Sequence, residues 1–217
     1  QKHLEKYLLT GGLPGLCFIR EERLRQEGLD ALHRLILDRD LRLVVETKLS
    51  LETLSNYLRW IASNGWNPYN ASEVTRELGL APQTQKNLLF ALESIFLIRR
   101  IPLKGRSGEI VFMEDQYEER LLSGNAHSRA NQMLSAFFRN SRAQFQYRLG
   151  ATVRFESYWT RTGAVVPLVI RADSGALGCM IVADEKPTLS QQRSADSFLR
   201  HESRGKVLFL SDRPTVS

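Results

Sequence analysis

The chain has 217 residues and a mass of 24.8 kDa, with 42% hydrophobic and 25% charged residues. These are globular proportions, and they exclude disorder and collagen-like repeats. Lys+Arg number 30 against 24 Asp+Glu, a net charge of +6 and a pI near 9.5, which permits a nucleic-acid partner without requiring one.

The chain opens on Gln1 rather than Met, which leaves open both a fragment of a longer protein and a stand-alone one. No secretory signal follows, because Gln1 to Lys6 leads into neither a long apolar stretch nor a small-residue cleavage site. No apolar run approaches the roughly 20 residues of a membrane helix, and no membrane partner is expected. Cys17 and Cys179 lie too far apart in sequence for a disulfide framework, so a reduced, cytoplasmic setting is expected.

The segment Tyr7-Leu8-Leu9-Thr10-Gly11-Gly12-Leu13-Pro14 reads as a short apolar stretch entering a Gly/Pro turn. A helical pattern through Leu29, Leu32, Leu35 and Ile36 is expected to end at Asp38-Arg39-Asp40. Leu51, Leu54, Leu58 and Ile61 recur at helical spacing, with Ser50 as N-cap and Gly65 as stop. Asn70 or Ser72 opens a short helix closed by Gly79. Pro82 then suits the first turn of a helix carrying Leu88, Leu89, Leu92, Ile95 and Phe96. Two strand-like runs, 97–103 and 109–113, flank the hairpin loop Lys104-Gly105-Arg106-Ser107-Gly108. Helix, tight turn, longer helix and ribbon is the order of a winged helix-turn-helix.

Beyond Ser123-Gly124, a helix with Met133, Leu134, Phe137 and Phe138 precedes strands near 153–158, 165–170 and 177–182. A polar helix over 190–202 then crosses over to a strand at 207–210. The expected architecture is α+β in three parts. Residues 1–50 form a helical segment, 51–122 a winged helix-turn-helix, and 123–217 a small α-β-β-β-α-β domain.

The Tyr7 to Pro14 stretch resembles the "YL…GG-x-P" segment that follows the ATPase core in a large prokaryotic family. Its members join an AAA-type P-loop ATPase to a winged helix and a C-terminal domain resembling PD-(D/E)XK nucleases. Leu37-Asp38-Arg39-Asp40 is similar to that family's "RD" segment. Glu77 to Thr84, Leu92-Glu93 and Phe96-Leu97-Ile98 resemble its winged helix. Asp115 resembles a family Asp, although Tyr117 stands where a glycine is expected. The resemblance implies the C-terminal part of such an ATPase, with 123–217 restriction-endonuclease-like.

The chain departs from the family at its chemistry. No G-x-x-x-x-G-K-[ST] phosphate loop occurs, so no ATPase core is present. The nuclease-like strands should carry "E-V-D" and "I-E-V-K", and here read Val165-Val166-Pro167 and Met180-Ile181-Val182-Ala183. A degenerate nuclease without catalytic residues is therefore expected, and no cofactor. The alternative is a displaced Mg2+ site in which Asp173, Asp184, Glu185 and Lys186 catalyse DNA cleavage, with Glu156 as a further carboxylate.

The four histidines show no metal-ligand spacing, and Gly105-Arg106-Ser107-Gly108 does not match a nucleophile elbow. Duplex DNA is the expected ligand. Gln83, Thr84, Gln85, Lys86 and Asn87 at the exposed start of the third helix would reach base edges and phosphates, with Gln83, Thr84 and Lys86 the chosen contacts. Arg99, Arg100, Lys104 and Arg106 on the wing would neutralise phosphates, opposed mainly by Glu109. A protein-docking role, with an ATPase domain in cis or another protein as partner, stands beside it. Tyr57, Trp60, Trp66, Tyr69 and Phe90 are expected in cores or interdomain packing.

Overall fold

The computed structural model describes residues 2–124, 128–150, 152–182 and 186–211. The chain divides into two compact units, one of residues 5–100 with 111–128, the other of residues 1–4 and 101–110 with 129–217. The expected boundary near residue 51 therefore falls inside one unit. The distal half of the hairpin, 101–110, groups with the C-terminal region rather than with the helices preceding it.

The element order begins α1 (Lys2–Thr10), α2 (Glu22–Leu35), a π-helical stretch (Ile36–Asp40) and α3 (Leu41–Val44). The helix thus continues through Asp38-Arg39-Asp40, where the charges predict an end. Leu29, His33, Leu37 and Leu41 recur every four residues and are all buried. That buried stripe carries the helix past three charged residues.

Next come α4 (Leu51–Asn64), α5 (Ala71–Leu78) and α6 (Pro82–Ser94). Each start has a local cause. The Ser50 hydroxyl accepts from the Thr53 amide at 3.1 Å, and the Asn70 side-chain oxygen from the Glu73 amide at 3.3 Å. Pro82 occupies the first turn of α6. Gly79, at φ 68°, ends α5 in the left-handed conformation that a glycine adopts without steric cost. Tyr57, Leu58 and Ile61 of α4, Val74 of α5, and Leu88, Leu89 and Leu92 of α6 share one apolar core.

The strands are β1 (Ile98–Lys104) and β2 (Glu109–Met113), then β3 (Arg154–Trp159), β4 (Val165–Ala172), β5 (Gly175–Ile181) and β6 (Gly205–Leu210). Helix α7 (Gln116–Ser123), which the sequence pattern does not predict, follows β2. Helix α8 (Arg129–Arg142), continued by a π-helical stretch (Ala143–Arg148), precedes β3, and α9 (Leu189–His201) connects β5 to β6. The strands form one mixed sheet in the order β2-β1-β3-β4-β5-β6. Strands β1 and β3 run parallel, β3-β4-β5 is an antiparallel meander, and β5 and β6 are parallel as the crossover requires.

Pro167 lies in central strand β4, where it cannot donate to the ladder. The register shifts between Glu156 and Tyr158, so β4 spends an extra residue there. The Ser157 hydroxyl donates to the Val166 carbonyl at 3.2 Å and covers the irregularity. Helix α9 seals this sheet through Phe198 and Ala195, packed on Tyr158, Val166, Val169 and Met180.

Candidate nucleic-acid interface

The hairpin was the richest expected source of phosphate contacts, and its cations are all engaged. Arg99 pairs with Glu114, with both side chains less than a fifth exposed. Arg100 meets Glu93 at 3.7 Å, and the Arg100 amide donates to the same carboxylate. Lys104 pairs with Glu202, and Arg106 sits over the Trp159 ring at 5.7 Å. Glu114, Glu93 and Glu202 are thus partners of these cations in addition to the expected Glu109. The loop is also tied into the sheet, because Leu103 and Lys104 pair in parallel with Ser157 and Tyr158 of β3.

Glu202 is the centre of a charge network. It accepts from Arg171 at 2.8 and 3.0 Å, and Arg171 also reaches Glu156 at 2.6 Å. Arg171 first, and Lys104 with it, hold the Glu202 carboxyl down to about 2 from its ordinary 4.5. The same carboxylates raise the Arg171 guanidinium. Glu156, a candidate metal carboxylate by sequence, is thus an arginine partner.

At the start of α6, Gln83 and Lys86 are exposed, and Gln83 donates to Asn87 at 2.9 Å. Thr84 and Asn87 line a cleft of about 320 Å³ together with residues 45–49, so neighbouring chain flanks this face. Gln85, expected among the exposed contact residues, is instead 1% exposed, because its side chain is taken up inside the fold. Its amide nitrogen reaches the Leu80 carbonyl at 2.7 Å, Thr75 Oγ1 at 2.9 Å and the Ala71 carbonyl at 3.0 Å, and its oxygen accepts from Tyr69 at 2.8 Å. One side chain therefore fixes α5, the turn and α6 against each other. Sequence periodicity marks Gln85 only as another polar residue.

Two further pairings are invisible in spacing. Asp115 accepts from the Gly12 amide at 2.9 Å and from the Tyr117 amide at 2.8 Å, locking the Gly11-Gly12 turn onto the start of α7. Gly11 sits at φ 68° with Asp115 and Tyr117 where a Cβ would stand, so only glycine fits. His33 is 3.0 Å from Glu118, both buried, beside a cleft of about 340 Å³ that also presents Asp30, Arg34, Glu52 and Arg59. Of the expected core aromatics, Tyr57 and Trp66 are buried. Phe90 is 63% exposed on α6, a correction to its assignment as packing.

The expected nuclease positions are apolar and closed, with Val166, Met180 and Val182 all buried. Asp173 lies in the exposed turn before β5, and Lys186 beyond the other end of that strand. Seven residues of strand at about 3.3 Å each separate them by roughly 20 Å, so the displaced site is not assembled from these two. Asp184 and Glu185 lie outside the described residues. Among the described residues, no cluster of three His, Cys, Asp or Glu is placed to hold a metal. Buried Cys179 has its thiol pushed up to about 12 by desolvation, which leaves it unreactive at neutral pH. Among the described residues no helix is long and apolar enough to cross a membrane.

Charge separates the two units. By sequence, residues 5–100 and 111–128 hold 14 Lys+Arg against 16 Asp+Glu, a net of −2. The sheet unit holds 16 against 8, a net of +8, and the two together give the chain's +6. In the sheet unit Arg154, Arg161, Arg193, Arg200, Arg204 and Lys206 are exposed and make no ion pair among the described residues.

Residues 1–107 match the model of a family described as a Domain of unknown function (DUF8612). No curated protein and no solved structure matches the chain.

Proposed function

We propose that this chain is a non-catalytic nucleic-acid-binding module, similar to the C-terminal part of an AAA-type ATPase, whose phosphate contacts lie on the sheet unit rather than on the hairpin. The observation that carries this reading is the partition of charge: the chain's whole positive excess resides in the sheet unit, where six exposed arginines and lysines make no ion pair among the described residues. Free cations of this kind release counterions from a polyphosphate on binding, whereas ion-paired ones must first break a bond. The order α8-β3-β4-β5-α9-β6 resembles a PD-(D/E)XK core, and strands β4 and β5 hold no carboxylate or lysine, which supports binding without cleavage.

A second reading applies to the helical unit. Its slight negative charge and the exposed rings of Phe90 and Phe96, the latter at φ 61°, suit docking to a protein such as an ATPase domain. Under this reading α5-turn-α6 is a winged helix used for protein contact.

The test is fluorescence anisotropy of labelled single- and double-stranded DNA titrated with the full chain at rising salt. The expected result is binding that weakens steeply with salt. It should persist when Gln83, Thr84 and Lys86 are all changed to alanine, and no cleavage should follow addition of Mg2+. Absence of binding at low salt, or its loss in the α6 variant, contradicts the reading.

A further inference from the structure

The cavity at the β4–β5 turn brings an apolar lining and two cations together. It encloses about 370 Å³. Its floor is apolar, from Phe145, Val153, Ile170 and Leu177, and its rim carries Arg204 and Lys206. No carboxylate lines it, and neither cation has an ion-pair partner among the described residues.

The rim is built on fixed backbone. Gly175 sits at φ 149° with the Arg204 carbonyl where a Cβ would stand, so the turn closes onto Arg204 only with glycine there. The Arg204 carbonyl accepts from the Ala176 amide at 3.3 Å, and the Gly205 amide donates to the Glu202 carbonyl at 2.8 Å. Lys206 is then held by the parallel pairing of β6 with β5, opposite Leu177.

From this juxtaposition of an aromatic-bearing apolar floor and an unpaired cationic rim, we infer that the cleft is a nucleotide subsite, taking a base on Phe145 and its phosphate on Arg204 and Lys206. The inference rests on the nucleic-acid reading above and gives it a place. A volume near the lower end of the roughly 300–1,000 Å³ of small-molecule sites suits one nucleotide unit rather than a large cofactor. A guanidinium fork matches phosphate oxygens, and an aromatic ring accepts any base face, so the site tolerates sequence. The cleft lies at the Ala172–Gly175 end of the β4–β5 pair, away from Val165-Val166 and Ile181 where the nuclease motifs are expected, and Asp173 of the adjoining turn does not line it.

The test follows the methyl signals of Ile170 and Leu177 by NMR in the full chain, titrated separately with adenosine monophosphate, inorganic phosphate and a twelve-nucleotide oligothymidylate. The nucleotide should move both methyl groups, and phosphate alone should move the Arg204 and Lys206 amides but not the methyls. Changing Arg204→Gln and Lys206→Gln together should abolish the nucleotide shifts and weaken the oligonucleotide roughly tenfold. Phe145→Ala should weaken the nucleotide while sparing phosphate. Methyl groups unmoved by the nucleotide overturn the subsite whatever the oligonucleotide does. The same holds if an acidic, Phe-containing peptide moves them and the nucleotide does not. Should the oligonucleotide bind equally well to the double variant, the subsite falls and the nucleic-acid reading stands. If no oligonucleotide binds at any salt, that reading falls, and the mononucleotide titration still decides the cleft.

Discussion

The hairpin and the β6 region carry the same kinds of cation, and their surroundings assign them opposite work. Arg99, Arg100 and Lys104 each face a glutamate, with Arg99 and Glu114 both largely withdrawn from solvent. Arg200, Arg204 and Lys206 stand exposed and make no ion pair among the described residues. A paired, half-buried guanidinium holds structure, because removing it strands a desolvated carboxylate. An exposed, unpaired one contributes little to folding and is available to a polyanion. Counting Lys and Arg along a sequence therefore locates charge but not its availability.

The largest effect that sharpens this contrast is expected at Arg171. Changing Arg171→Met leaves Glu156 without its arginine and Glu202 with Lys104 alone, and should cost on the order of 3 kcal/mol in denaturant unfolding of the sheet unit. Next comes Gln85→Leu, which removes the bridge from α6 to Tyr69, Ala71, Thr75 and Leu80 and leaves those groups only their bonds to Tyr57 and within 71–80; about 2 kcal/mol should be lost from the helical unit, read by circular dichroism. Because the folded Glu202 carboxyl is depressed, its stabilisation is present above pH 4.5 and is lost as pH falls towards about 2. Acid titration should show the sheet unit weakening through that window, and Glu202→Gln should flatten the slope there. The smallest effect is Ser50→Ala, about 1 kcal/mol from the lost N-cap of α4. An Arg171 variant as stable as the parent would break the contrast, since its cations would then be as dispensable as those of β6.

Much of the fold was legible wherever its cause is local. Ser50, Asn70, Gly79 and Pro82 act on residues within a turn of themselves, so α4, α5 and α6 could be bounded from sequence. The α8 to β6 order was legible from alternating apolar runs and turn residues in the same way. Helix α3 was missed because packing of Leu37 and Leu41 outweighs the charges between them. Helix α7 left a readable trace in Asp115 followed by Glu118 and Glu119, an N-cap with an acidic first turn. The pairings were out of reach. Lys104 meets Glu202 across 98 positions and Gly12 meets Asp115 across 103, and no spacing rule connects residues that far apart. The β4–β5 cleft was hidden for the same reason, since Phe145, Leu177 and Arg204 converge only once the sheet has formed.

The most direct test of the division of labour is the salt dependence of oligonucleotide affinity in two variants of the full chain. One changes Arg99→Met and Arg100→Met, the other Arg193→Gln and Arg200→Gln. The account predicts that the first lowers folding stability by about 1–2 kcal/mol and leaves the slope of log Kd against log salt unchanged. The second should keep its stability and lose roughly one to two units of that slope. A slope that falls in the Arg99/Arg100 variant and holds in the Arg193/Arg200 variant would contradict it, returning the phosphate contacts to the hairpin.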